Sequence, residues 1–367
     1  MWKRVAALAL IWTFACGVLA ATPEMPRLRV LGVADGLPTS DVTGIAQDSD
    51  GFVWIATADG LARYYGAGFM VWQHDPEAAD AFPGNNLQAL HVDHEDRVWV
   101  AAQEGGVAVM DRDRSAGFRP YRIDAHPEAR LGDVWDFASR PGEIWMGLGT
   151  DGVYGLRADG SFVHLRHDPN DPRTLPSDNV VSLSFDNDGM LWIATMAGLA
   201  RYDGRRVWRE LLPGGDMPLT VTDVQAMGDE VWASSARGLF VRMRDGQWHW
   251  RPWSGMFARP NSVLSMLADP RGGYWLGTRR GLWRLSEDGI PTPVPVGRDA
   301  SRPFPARAMF LQSDGALWAS APGEGVGFLR SDWRHVAELV RGERGLQGHG
   351  YATIAPANDG GLWLGSE

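Results

Sequence analysis

The residues best placed for chemistry are acidic turns. Asp48-Ser-Asp-Gly51 and Asp186-Asn-Asp-Gly189 set carboxylates at alternate positions before a glycine, as the start of a calcium loop does. A calcium loop also needs further oxygen ligands and a closing acidic residue. The residue in that closing place after Asp48 is Asp59, which lies beyond an intervening strand, so both turns read as hairpin turns. His91 and His94 are three residues apart on a strand, a spacing that points them to opposite faces. No Gly-x-Ser-x-Gly elbow occurs, and no carboxylate pair stands out from the turn aspartates. The sequence therefore offers no catalytic constellation, no metal site and no cofactor motif.

Charge is better organised in a recurring loop between a Trp-x-x-Thr run and a Gly-Leu pair. The frame of this loop recurs, and its two central residues change: Ala58-Asp59, Gln103-Glu104, Thr150-Asp151, Met196-Ala197, Ala236-Arg237, Arg279-Arg280 and Gly323-Glu324. Frame residues hold a fold, whereas the variable pair is free for binding. Asp59, Glu104 and Asp151 come from the first three copies, and Arg237, Arg279 and Arg280 from the fifth and sixth. If the copies close into a ring, one side of its mouth is acidic and the other basic. Such a rim suits a ligand bearing both a carboxylate and hydroxyl or amine groups; solvated loop tips are the bland alternative. Trp135 is a second candidate, because it occupies an inner strand where other copies carry smaller residues such as Gly44, Ala89 and Val181. There it can stack on a sugar ring, or simply pack between sheets.

The elements that position these loops are copies of one unit. Trp54, Trp99, Trp145, Trp192, Trp232, Trp275, Trp318 and Trp363 recur at separations of 40–47 residues. Each unit begins with an apolar alternating run such as Val42–Asp48 and continues through an Asp-Gly-rich turn. A run around the Trp, a glycine and a second alternation such as Leu61–Tyr64 follow. Asp-Gly between alternating runs marks a hairpin, because glycine takes positive φ at no steric cost. A further run closes most units: Phe69–Gln73, Phe162–Arg166, Val207–Leu211, Trp248–Trp253 and Trp333–Leu339. Four short antiparallel strands at this period predict an all-β propeller whose blades bury their faces against one another. The Trp residues are read as structural blade anchors. Residues 27–340 form seven blades. The unit from Tyr351 to Glu367 stops two strands in, so 341–367 read as the start of a second ring, with one eight-bladed ring as the alternative.

The chain of 367 residues has a net charge of −10 and no basic run, which excludes the electrostatic footprint of a nucleic-acid binder. Lys3 and Arg4 precede an apolar run from Val5 to Leu19, and Ala20-Ala21 follows: the order of a secretory signal peptide over 1–21, with an uncleaved membrane anchor as the alternative. The single cysteine, Cys16, lies within it, so the exported chain uses neither disulfides nor thiol chemistry.

Two links between units share a signature: His74-Asp-Pro76 leading to Phe82-Pro-Gly-Asn85, and His167-Asp-Pro-Asn-Asp-Pro172 leading to Leu175-Pro-Ser-Asp-Asn179. With Asp-x-Asp-Gly-x-x-Trp-Ile-Ala-Thr-x-x-Gly-Leu-x-Arg-Tyr at 48–64 and 186–202, the chain resembles the two-component regulator propeller family over 28–367. The resemblance is most specific in units one and four. It implies the exported, periplasmic sensor region of an inner-membrane receptor, usually dimeric. In such receptors two rings precede a β-sandwich, a membrane span and a histidine kinase or diguanylate cyclase output. The expected partner is a small-molecule or glycan ligand or a periplasmic protein, with membrane contact only through C-terminal parts not in this chain. Quinoprotein dehydrogenases are also propellers, but their vicinal cysteines are missing. A propeller enzyme of the streptogramin-lyase type, needing a His and Glu pair with magnesium, is an alternative in which His349 is a candidate. A passive interaction scaffold is the other.

Overall fold

Alternation becomes four-stranded sheet in every complete unit. In the first, Val42–Gln47, Val53–Thr57, Gly60–Tyr64 and Phe69–Trp72 pair antiparallel in sequence order from the inner to the outer edge. Five more sheets repeat this order, the last ending at Val294. The computed structural model describes residues 28–331 except 76, 78–81, 104, 124–125, 128, 130, 215–217, 253–262, 287–288 and 295–305. It also describes the backbone of 351–356 and 362–366. The short 3-10 turn Val33–Asp35 is the one helical element among these residues, and no described helix is long and apolar enough to cross a membrane.

The seventh blade is completed from the other end of the chain. Its inner three strands are Met309–Leu311, Leu317–Ala321 and Gly325–Leu329; its outer strand is the N-terminal segment Arg29–Leu31, with Val30 opposite Gly327. The expectation that Trp333–Leu339 supplies this outer strand is corrected. That run lies outside the described residues, and the edge it was assigned is taken by Arg29–Leu31. An alternating run reads as an outer strand wherever it falls, and only ring geometry decides which run reaches the open edge.

The tryptophans show why the ring closes at seven. Each sits in a core cluster shared with the next blade. Trp54 packs with Leu87 and Val100, Trp99 with Val134 and Met146, and Trp145 with Val180 and Ile193. Trp192 packs with Val221 and Ala233, Trp232 with Val263 and Leu276, and Trp275 with Leu317 and Ala319. Trp318 then packs with Val42, Ile45 and Ile55 of blade one. The eight-bladed alternative is thereby excluded. All seven side chains are essentially inaccessible to water, which at the usual area coefficient is a gross gain of about 4–6 kcal/mol each.

A buried indole N–H needs an acceptor, and an aspartate six residues earlier, at the start of the hairpin turn, supplies it. Trp54 Nε1 donates to Asp48 Oδ2 at 2.8 Å, Trp99 to Asp93 at 2.7 Å and Trp192 to Asp186 at 2.8 Å. The second oxygen of each carboxylate accepts a backbone N–H from the same turn, from Phe52, Arg97 and Met190. In blades three and five the position six before the Trp holds Ser139 and Ala226. There Glu143 and Glu230, two residues before the Trp, reach the indole at 3.0 and 2.8 Å. In blade seven Gln312 accepts at 3.0 Å. One electrostatic requirement is met by three sequence solutions.

Beyond the ring, Tyr351–Pro356 and Leu362–Ser366 form a hairpin whose register shifts between Tyr351 and Thr353. The same irregularity marks the start of the inner strand in blades one to six.

Candidate ligand-binding face

One face of the ring is built from the loops between second and third strands and the links between blades. Thr57 at the end of the second strand fixes the loop: its hydroxyl donates to Gly60 O at 2.7 Å and accepts the Asp59 N–H at 3.1 Å. Thr195 and Thr278 repeat both bonds. The glycine that follows is at φ 116° in blade one and 153° in blade four, where a side chain is strained. The frame therefore sets the backbone, and the central pair projects from it.

The links close over these loops. Asn85 O accepts the Gly60 N–H at 2.7 Å, its side-chain oxygen accepts the His74 N–H at 2.7 Å, and its amide donates to Asp59 Oδ1 at 3.2 Å. Asp178 repeats the first two bonds with Gly152 and His167. The histidines of the link signature are structural. His74 Nδ1 lies 2.6 Å from Phe82 O, and His167 Nδ1 lies 2.7 Å from Leu175 O. Arg209 then draws in the long link between blades three and four by donating to the carbonyls of Thr174 and Leu175 at 2.8 and 2.9 Å.

All the sequence-predicted residues except Glu104 lie among the described residues. Asp59 is held by Asn85, and its carbonyl accepts Gln73 Nε2 at 2.9 Å. Asp151 is answered within its own blade by Arg166 at 3.3 Å, by His164 at 3.5 Å and by the Tyr154 hydroxyl. Arg237 lies 5.1 Å over the Trp250 ring and donates to Gly214 O. Arg279 and Arg280 are exposed. Glu104 lies outside the described residues. Asp59, Asp151 and Arg237 thus bond to their own blade or its link rather than to one another. Trp135 sits at the register shift between Val134 and Asp136, is 37% exposed, and donates its indole N–H to Asp133 at 2.8 Å.

Below the face lies a cluster that sequence reasoning missed. Asp136, Ser182 and Asp223 occupy equivalent positions on the inner strands of blades three, four and five. Asp136 accepts the N–H of Phe137 at 2.9 Å and of Leu183, on the next blade, at 2.8 Å. The Ser182 hydroxyl donates to Asp223 Oδ1 at 3.1 Å. Burial raises the Asp136 carboxyl to about 7, with the Asp223 charge adding, and burial raises Asp223 to about 6. The available signal was a carboxylate where Gly44 and Ala89 stand in blades one and two; these residues, matched to Trp135 in the sequence, are the counterparts of Asp136 by register.

These shifts fix a sign. A carboxyl whose folded pKa exceeds its unfolded value stabilises the fold at low pH, and that contribution is lost as pH rises through the folded pKa. Stability is therefore expected to fall from about pH 4 to pH 7 on account of this pair. His91 acts oppositely. Burial holds it at about 4, so its contribution grows as pH rises towards the ordinary histidine range. Chemical denaturation of Asp136→Asn across pH 4–8 should show a flatter decline than the parent chain. An unchanged profile would remove Asp136 from the account.

His91 and His94 are a correction to the sequence reading. The strand ends at Val92, so His94 is already in the turn and both rings reach one hydroxyl. Ser139 Oγ lies 2.8 Å from His91 Nε2 and 3.1 Å from His94 Nδ1. The pair forms a seam between blades two and three.

The model of a family described as two component regulator propeller matches residues 36–59 and 174–197, the loops and anchors of blades one and four. No curated protein matches the sequence. Among solved structures, the chain is similar to the extracellular domain of a candidate hybrid two component system, BT3049, from B. thetaiotaomicron. The identity is 20% and the TM-score 0.72, over 94% of this chain and 47% of that one. The extracellular domain of BT4673 from the same organism gives 18% and 0.67, over 94% and 45%. The chain thus spans about half the length of these two structures. Virginiamycin B lyase from Staphylococcus aureus gives 13% and 0.62, over 82% and 98%. At these identities the likenesses show the fold alone.

Proposed function

Since this chain carries the two component regulator propeller repeat, we propose that it is the extracytoplasmic ligand-sensing region of a transmembrane signalling receptor. The observation that carries this reading is the coincidence of the matched segments with the loops and links of the binding face. The similarity to two extracellular domains of signalling proteins supports the periplasmic placement. The Tyr351–Ser366 hairpin, which repeats the first half of a blade, is read as the start of a second ring. A histidine kinase or diguanylate cyclase output and a receptor dimer complete the proposal. The propeller itself binds rather than reacts. Of the two enzyme and scaffold alternatives, the lyase has a fold likeness only, and its candidate His349 lies outside the described residues.

The ligand is a small molecule or glycan, or a periplasmic partner, that carries a carboxylate together with hydroxyl or amine groups. It lies between the Asp59–Asp151 side of the rim and the Arg237–Arg279–Arg280 side, with Trp135 available for stacking. A thermal-shift screen of the exported chain against acidic glycan fragments and zwitterionic metabolites identifies it. Arg279→Glu with Arg280→Glu should then abolish binding while leaving the melting temperature unchanged, because both side chains are exposed. Unchanged affinity retires the polarised rim.

A further inference from the structure

On the outer side of the ring, a cavity of about 460 Å³ opens between the outer strands of blades two and three. Its size falls in the range of small-molecule sites. Arg119 and Tyr121 come from the outer strand Phe118–Tyr121, Arg122 and His126 from the link that follows, and Leu156 and Phe162 from blade three. None of its described lining residues is acidic, in a chain of net charge −10.

The rings are already fixed in place. Tyr121 packs edge-on to Trp99 at 4.7 Å, and Phe162 stacks on the His126 ring at 4.2 Å and lies 5.3 Å from Tyr154. Arg119 is exposed and spends part of its charge on Asp111 at 3.4 Å. Arg122 is exposed and has no carboxylate within ion-pair distance among the described residues. A guanidinium presents a planar fork that fits a carboxylate with two parallel hydrogen bonds, and flat aromatic walls select a flat apolar body.

We propose that this outer groove binds an aromatic carboxylate, with the acid on Arg122 and Arg119 and the ring between Tyr121, Phe162 and Leu156. The site shares no residue with the polarised rim and does not depend on the sensing role proposed above.

The test uses 2-naphthoate as the probe, with neutral 2-naphthamide as its charge-free counterpart, by calorimetric titration of the exported chain. Binding of the acid at least ten times tighter than the amide is expected, weakening as salt is raised. Arg119→Gln with Arg122→Gln should reduce the acid's affinity at least tenfold at an unchanged melting temperature, since an exposed pair such as Arg119–Asp111 adds little stability. Arg122→Gln alone serves if the double variant is less stable. Arg279→Glu with Arg280→Glu should leave naphthoate binding intact, which separates this site from the rim. Failure of the acid to bind, equal binding of the amide, or full affinity in the arginine variants overturns the proposal.

Discussion

Removing the chain through Gly32 is expected to cost roughly 4–8 kcal/mol of stability, on the scale of two large-to-small core changes. Leu28 and Leu31 are 3% and 6% exposed, and they belong to the clusters on the two sides of blade seven. Leu28 also fills the space that a Gly327 side chain would need, at 2.5 Å from an ideal Cβ there. Without this strand the core clusters holding Trp275 and Trp318 open. Gly325–Leu329 then becomes an unpaired edge, which recruits other chains. Denaturant midpoints and gel filtration check both effects. Adding a peptide of residues 27–33 in trans should restore part of the loss by strand addition. A truncated chain that is monomeric and as stable as the parent would show that blade seven is completed by some other segment.

Trp54→Ala is the second large effect, expected at about 3–5 kcal/mol. The side chain is fully buried between blades one and two, 5.0 Å from the Trp72 ring. Trp54→Phe separates packing from hydrogen bonding. It keeps an aromatic body but leaves Asp48 Oδ2, in a residue 5% exposed, without its indole donor. An acceptor orphaned in this way costs about 1–3 kcal/mol. Arg114, 3.5 Å from the same carboxylate, offsets part of that loss. Equilibrium unfolding in urea measures both variants. A loss under about 1 kcal/mol for Trp54→Ala would mean that the anchors do not carry the blade interfaces.

Much of the ring was legible because one unit repeats. The Asp-Gly turns, the Trp anchors and the alternating runs specify strands by period, and the strand bounds agree within a residue or two at Phe69–Trp72 and Phe162–Leu165. What was not legible is long-range. The outer strand of blade seven is settled by closure, and an alternating run carries no mark of where it docks. The exchange of Asp for Glu143 and Glu230 as indole acceptors is visible only once the side chains are in place. Asp136 was hidden by the register shift beside Trp135: one extra residue in the inner strand breaks the alternation by which a facing direction is read. His91 and His94 misled for a related reason, since the strand rule no longer applies past Val92. The partners that answer Asp151, namely His164 on the outer strand, Arg166 just past its end and Tyr154 on the third strand, could not be read from the loop.

The most direct test of the closed ring uses its two ends. Arg29 and Phe328 are paired across the last blade, and the single native cysteine, Cys16, precedes the first strand. Arg29→Cys with Phe328→Cys, in the exported chain, should form an intramolecular disulfide in high yield. Antiparallel partners hold their Cα atoms about 4.5–5.5 Å apart, inside the range a disulfide spans. Mapping by mass spectrometry after mild oxidation should find the two introduced thiols joined to each other in a monomer. Two free thiols, or a bridge only between separate chains, would contradict a seven-bladed ring locked by its own N-terminus.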